Sequence, residues 1–313
     1  MEENILKLPA SSGIILIMNC LSSADRTRIV SALVEGNSIR AVSRMTGFSQ
    51  NTVTKLLVDL GTACDAFHDK NVRGVKSKRV QCDEIWSFVG AKAKNVPRER
   101  DGQWGDVWTW TALDADTKLM ISYAVGNRGA ETANFFMEDL ASRVASRIQI
   151  TTDGHKVYAQ AIEGAFGADV DYAMLIKLYG NDSFDRRYST GDCIGTQTAI
   201  IQGAPDPKHI STSFVERQNL TMRMWMRRFT RLTNAFSKKL DNHAAAIALH
   251  FMHYNFCRVH MMLRVTPAME AGLAGHVWMV EELVAILPEP TAKKRGSYKQ
   301  RISNLRTTKN RLP

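Results

Sequence analysis

The chain has 313 residues, of which 44% are hydrophobic and 23% charged, a composition that excludes wholesale disorder and allows two or three domains. No run of 18 apolar residues occurs, and the apolar stretch Gly13–Met18 is too short to span a membrane and lacks a basic leader, so a soluble intracellular protein is expected. The five cysteines (Cys20, Cys64, Cys82, Cys193 and Cys257) never adopt CxxC spacing, which argues against both a disulfide framework and a zinc finger.

From Ser22 to about Leu60 the pattern is helical. A polar start leads to Ile29, Val30 and Leu33 at helical spacing and stops at Gly36; "SIRAVSRM" is a short second helix; "TGFS" is a turn; Ser49 caps a third helix with Val53, Leu56, Leu57 and Leu60 inward. A short second helix, a Gly-containing turn and a polar entry to the third helix make a helix-turn-helix pattern. Its third helix would present Gln50, Asn51, Thr52 and Lys55, side chains able to bond base edges or phosphates. A plain three-helix bundle would read the same way.

After the basic stretch "KNVRGVKSKR" the periodicity changes. "RVQCDEIWSFVGAK" reads as a strand, and "DVWTWTALDADTKLMISYAV" as a hairpin turning at "DADTK". "ETANFFMEDLASRVAS" is an amphipathic helix, "IQITTDG" a strand ending in Asp and Gly, "HKVYAQAIEGAF" a helix and "VDYAMLIKLY" a strand. Residues 180–210 are expected to be an irregular insertion. A long helix over 211–240 and another over 242–263 follow. Three strands joined directly and then alternating helix and strand describe an α/β mixed sheet with flanking helices, resembling the ribonuclease-H-like fold. The expected organisation is a helix-turn-helix domain over 1–62, a basic linker over 63–79, a mixed-sheet domain over 80–275, and a C-terminal helix and basic tail over 276–313.

The net charge of +10 is concentrated in acid-free stretches. One is Lys70–Arg79. A second, Arg217–Lys239, includes Arg223, Arg227 and Arg231. The third is the tail from 291, which begins with Lys293, Lys294 and Arg295. Such patches suit a polyanion, DNA above all, although a solvated surface would also carry charge.

Asp83 in the first strand, Asp153 after the fourth and Glu216 at a helix start are acids at the ends of three elements that a crossover sheet can bring to one edge. Three carboxylates there suit two Mg²⁺ ions, which prefer oxygen ligands and can drive phosphodiester cleavage. Each acid also has an ordinary explanation, and Glu84 could replace Asp83. On a continuous helix Arg223 and Arg227 would share the face of Glu216. His243, His250, His253 and His260 are too dispersed for a zinc site.

The segments "CDEIWSFVGAK", "TTDGHKVYA", "SFVERQNLTMRMWMRRFTRLTNAFSKKLDNH" and "HFMHYNFCRVHMMLRVTPAMEAGL" resemble transposases of the IS1 type. The resemblance implies a ribonuclease-H-like DDE domain in which Asp83, Asp153 and Glu216 hold two Mg²⁺ ions, with Mn²⁺ as a substitute. It implies cleavage at transposon ends and transfer of the freed 3′-hydroxyl into target DNA. It further implies double-stranded DNA as partner, both terminal inverted repeats and target, a homo-oligomer joining two ends, and a nucleoid-associated location in a prokaryotic cytoplasm. Arg223 takes the place of the family's basic residue after the Glu. Glu84, Trp86, Asn219, Tyr254, Asn255, Arg258 and His260 match motif positions and are expected to support packing or DNA positioning. IS1-like transposases often begin with a cysteine zinc finger, which this sequence lacks. Other readings of the same residues are a helix-turn-helix regulator with an inactive second domain and another ribonuclease-H-like nuclease.

Overall fold

The computed structural model describes residues 20–180, 193–230 and 234–288. Within it Ser22–Leu287 forms one compact unit, to which everything below refers. Three helices come first: α1 (Ser23–Val34), α2 (Ile39–Thr46) and α3 (Gln50–Asn71). Each starts on a serine, Ser22, Ser38 and Ser49, whose hydroxyl accepts an otherwise unpaired amide of the first turn at 3.1–3.2 Å. Gly47 closes α2 at φ 80°, a left-handed conformation that a side chain would strain.

The sheet follows. Its strands are β1 (Arg79–Val89), β2 (Gly105–Asp114), β3 (Met120–Gly126), β4 (Ile148–Thr152), β5 (Val170–Tyr179) and β6 (Cys193–Gln202), in the spatial order β3-β2-β1-β4-β5-β6. β1, β2 and β3 are antiparallel neighbours, β4 and β5 run parallel to β1, and β6 returns antiparallel to β5. The hairpin turn lies at Asp114–Lys118 as expected, with the Asp114 carboxylate accepting the amides of Asp116 and Thr117.

The remaining helices are α4 (Ala130–Arg143), α5 (Val157–Phe166), α6 (Ser213–Trp225), α7 (Leu240–Phe256), α8 (Pro267–Glu270) and α9 (Val280–Ala285). α4 packs on β2, β3 and α5, while α6 lies on β1 and β2. Side chains alternate across a strand, so Glu84 of β1 faces α5 while Gln81 and Asp83 face α6. Trp110, fully buried on β2, fills the first side against Phe136 and Tyr158, and its indole N–H donates to the Asn127 carbonyl at 3.0 Å.

α3 lies along α7 at very close range. A Cβ on Gly61 would stand 2.2 Å from the Ala245 carbonyl oxygen, so only glycine permits this approach. Farther along, Phe67 meets Phe256 and Trp278 edge-on, and His68 Nε2 lies 3.2 Å from the Met120 carbonyl. The expected division at residue 62 therefore falls inside α3, whose second half is part of the body that carries the sheet.

Three expectations about elements are corrected. The segment 180–210 contains β6, a regular ten-residue strand rich in β-branched side chains. The helix expected over 211–240 ends at Trp225; Met226 is extended and Arg227–Phe229 form a separate 3₁₀ turn. Arg227 thus leaves the helix that carries Glu216, and the expected arginine ladder is reduced to Arg223. The helix expected over 242–263 is α7, which ends at Phe256.

Candidate active site

β1 and β4 pair only from Arg79 to Gln81, because β4 is short. Beyond Gln81 β1 has lost this neighbour, and a notch opens beside Asp83 and Glu84. Asp153, the residue after β4, stands at its mouth. Strand alternation sends Asp83 and Glu84 to opposite sides, yet both carboxylates reach round the open edge, and ligand atoms of Asp83, Glu84 and Asp153 all lie within 4.8 Å of one another. Among the described residues this is the group of acids, histidines and cysteines close enough to share a metal ion. His243, His250, His253 and His260 form no such group; His243, for one, is buried between the hydroxyls of Ser87 and Ser237 at 3.0 Å each.

Each acid is held differently. Asp83 accepts the Glu84 amide at 2.8 Å on one oxygen and the Asn219 side-chain amide at 2.7 Å on the other. Burial, followed by the charges of Glu84 and Asp153, pushes its carboxyl up to about 7, with Glu216 adding in the same direction. Asp153 accepts the His155 amide at 2.9 Å and lies 3.9 Å from Arg128. Glu84 is buried, and both of its oxygens are engaged: Arg128 Nε donates to Oε1 at 2.7 Å and the Tyr158 hydroxyl to Oε2 at 2.9 Å. Burial and Asp153 raise its carboxyl; the Arg128 guanidinium opposes them. Arg128 lies over the Trp108 ring at 4.6 Å, which fixes its plane.

Glu216 sits in the first turn of α6. The structure does not bring it into the three-acid group. It forms an ion pair with Lys177 of β5 and accepts the Thr212 hydroxyl at 2.5 Å. It lines the same 810 Å³ cleft as Asp83, Asp153, Asn219, Arg223 and Lys177. Two contacts dock α6 here. Gln81 Oε1 accepts the amides of Phe214 and Val215 at 2.8 and 3.1 Å, satisfying two donors that the helix cannot satisfy itself. Asn219, one turn after Glu216, is the residue bonded to Asp83, so the two side chains share a face.

The other expected residues are placed as follows. Gln50, Asn51 and Lys55 are exposed and Thr52 is half-buried at the start of α3, where Lys55 pairs with Asp59. Arg223 lines the cleft, whereas Arg227 is exposed on the 3₁₀ turn. Arg231, Lys293, Lys294 and Arg295 lie outside the described residues. Tyr254 donates to the Lys118 carbonyl at 2.9 Å, and the Asn255 side chain bonds both the amide and the carbonyl of Met120 at 3.0 Å. Arg258 stacks 4.2 Å from the Trp225 ring, and the His260 amide donates to the Val265 carbonyl at 2.9 Å. Gln81, Arg128, Tyr158 and Lys177 are absent from the expected set. Their contacts to the acids or to α6 span from 25 to 134 positions, and no local pattern signals them.

A sequence comparison finds the insertion element iso-IS1n protein InsB of Shigella dysenteriae, 24% identical over 180 residues, which is 56% of this chain and 95% of that protein. The chain resembles IS1-type insertion-element proteins. No family model matches it. Among solved structures, the piggyBac transposase synaptic complex with hairpin DNA aligns over 85% of this chain and 69% of that one, at 12% identity and a TM-score of 0.37. The Mos1 transposase paired-end complex with the left transposon end aligns over 55% and 61%, at 12% identity and a TM-score of 0.22. Among the described residues no helix is long and apolar enough to cross a membrane.

Proposed function

We propose that the cleft is the nuclease and strand-transfer centre of a DDE-type DNA transposase built on a ribonuclease-H-like sheet. The observation that carries the reading is the meeting of Asp83 and Asp153 beside a helix that brings Glu216 and Arg223 into the same cleft. Three strands joined directly, then alternating helix and strand, agree with the proposed fold, and the likeness to an insertion-element protein agrees with the activity.

The donors fit a hard cation. They are carboxylate oxygens, and the side-chain carbonyl of Asn219 is buried without a hydrogen-bond partner among the described residues. Asp83, Asp153 and Glu216 would hold two Mg²⁺ ions, or Mn²⁺. Such ions supply activation of water or a 3′-hydroxyl and neutralisation of charge developing on phosphate. Burial and the neighbouring acids raise the Asp83 carboxyl to about 7, and Glu216 is paired with Lys177. Completing the set would require Glu216 to leave Lys177. Glu84 lies nearer than Glu216, but its two oxygens are committed to Arg128 and Tyr158. Its role is to position Arg128 beside Asp153.

Arg223 is proposed to grip a DNA phosphate at the cleft. Gln50, Asn51, Thr52 and Lys55 are proposed to read double-stranded terminal repeats, with Arg227, Arg231, Lys293, Lys294 and Arg295 adding phosphate affinity. Two ends would be joined by a homo-oligomer at the nucleoid of a prokaryotic cytoplasm.

The test is cleavage and strand transfer of a labelled end duplex in Mg²⁺ or Mn²⁺, beside a gel shift. Asp83→Ala, Asp153→Ala and Glu216→Ala should each abolish both reactions and leave binding intact. Arg223→Ala should slow them, and Glu84→Gln should be milder than Glu216→Gln. Full activity in all three alanine variants would remove the DDE reading.

A further inference from the structure

β6 is an outer strand of the sheet, and its ten residues contain no charged side chain and no proline. Exposed edge strands ordinarily carry charges, prolines or a covering segment, because their unpaired amides and carbonyls recruit another strand. Among the described residues, nothing outside β5 and β6 hydrogen-bonds to the backbone of residues 194–201. The strand is also apolar for its position: Ile194 is 72% exposed, Ile200 60% and Ile201 46%. Register shifts fall near its two ends, leaving Gly195–Ile200 as an unbroken ladder with β5.

The order of residues on this edge identifies its partner. "IGTQTAI", residues 194–200, reads nearly the same in both directions about Gln197. Antiparallel pairing of two copies with the twofold axis at Gln197 sets Thr196 against Thr198 and Gly195 against Ala199 within the unbroken ladder, and brings Ile194, at the register shift, beside Ile200. Each pair is alike in size and polarity, and the side chains of each pair fall on one face. A different protein would have no reason to match this symmetry; a second copy matches it automatically, since a twofold interface is self-complementary.

We propose that the chain forms a symmetric dimer through β6, joining two sheets into one continuous twelve-stranded sheet with the axis at Gln197. β5, whose Lys177 holds Glu216, is the next strand inward, so the join would lie one strand from each cleft. The dimer requires neither metal nor DNA, and its test is independent of the catalytic reading.

The full-length chain is examined by sedimentation, with thermal melting to confirm that each variant is folded. Thr196→Lys with Thr198→Lys, both at exposed positions, places like charges opposite each other twice and should weaken the dimer by about tenfold or more. Thr196→Lys with Thr198→Glu places opposite charges in those pairs and should restore it. Gln197→Cys in a Cys193→Ser background should form a covalent dimer on mild oxidation, since self-paired residues lie at Cα separations of about 4.5–5.5 Å, within disulfide reach. Cys193 alone should not, because this register faces it with Ile201. A wild-type chain that stays monomeric at micromolar concentration overturns the proposal. So does a dimer indifferent to the charge pairs, or a Gln197→Cys variant that oxidises no faster than its parent; either outcome would indicate that another surface or segment forms the contact.

Discussion

At one edge of the sheet the Met120 amide and carbonyl of β3 meet the side-chain amide of Asn255, which bonds both as a neighbouring strand would. The Tyr254 hydroxyl takes the Lys118 carbonyl beside it, and α3 and α7 lie over the seam. At the other edge, among the described residues, nothing outside β5 and β6 bonds the backbone of residues 194–201. The acids divide along the same line. Asp83 and Glu84 belong to the closed half and have fixed partners within it, whereas Glu216 is held by Lys177 from the open half. The comparison sets Asp83, held by Asn219, against Glu216, which is held by a nearby cation.

The strongest way to break the contrast is to open the closed edge. Asn255→Ala strands the buried Met120 amide, while the Met120 carbonyl keeps His68, and should cost about 1–3 kcal/mol, seen as a lower denaturation midpoint. A denaturant midpoint within error of wild type would show that the clamp contributes nothing.

A proton at Asp83 provides the next test. Its carboxyl is raised to about 7 in the folded chain, so between the ordinary carboxylate range and about pH 7 the unfolded chain has released a proton that the folded chain keeps. Stability from this group therefore falls as pH rises through that window and levels off above it. The buried His68, His243, His250 and His253, lowered to about 3–4, act in the opposite direction, since the unfolded chain binds their protons first as pH falls. The informative quantity is the difference between wild type and Asp83→Asn in metal-free buffer. The variant should gain stability relative to wild type as pH rises from about 4 to 7, and Mg²⁺ should stabilise the wild type more. A difference that does not change with pH would mean that Asp83 is ionised throughout.

The smallest effect belongs to the open side. Lys177→Ala removes a partly exposed ion pair and should change stability by less than about 1 kcal/mol. It should nonetheless lower the Mg²⁺ concentration needed for half-maximal cleavage, because Glu216 loses its competing cation. An unchanged metal requirement would place Glu216 outside the metal set.

Much of this architecture is legible in the sequence because it follows from local periodicity. Alternation announces β1 through β5, "DADTK" announces the hairpin turn, and helical spacing with the Ser49 cap announces the first three helices. β6 escapes because "CIGTQTAIIQ" lacks the apolar–polar alternation of a half-buried strand; the remaining cue is its content of Ile and Thr. The end of α6 at Trp225 escapes because neither glycine nor proline marks it. Asp83, Asp153 and Glu216 are legible as acids at element ends. Their inequality is not, since it depends on Lys177 and Asn219 contacting them across the fold. Likewise, Asp83 and Glu84 are adjacent and alike in sequence. Only the notch beside β4, with Arg128 and Tyr158 on one side and Asn219 on the other, separates their roles.

α3 runs unbroken for 22 residues, from the exposed Gln50 to Asn71 at the body of the sheet. At about 1.5 Å per residue it is a rigid strut roughly 33 Å long, with Gly61 locking its middle onto α7. Anything seated on its first turn is held at a set distance and rotation from the cleft, with no hinge to absorb a change. One residue inserted between Lys55 and Gly61 would swing that turn by about 100° about the helix axis. The molecule therefore contains a built-in ruler: the spacing between a sequence bound at Gln50–Lys55 and a phosphate at Asp83 would be measured out in helical turns.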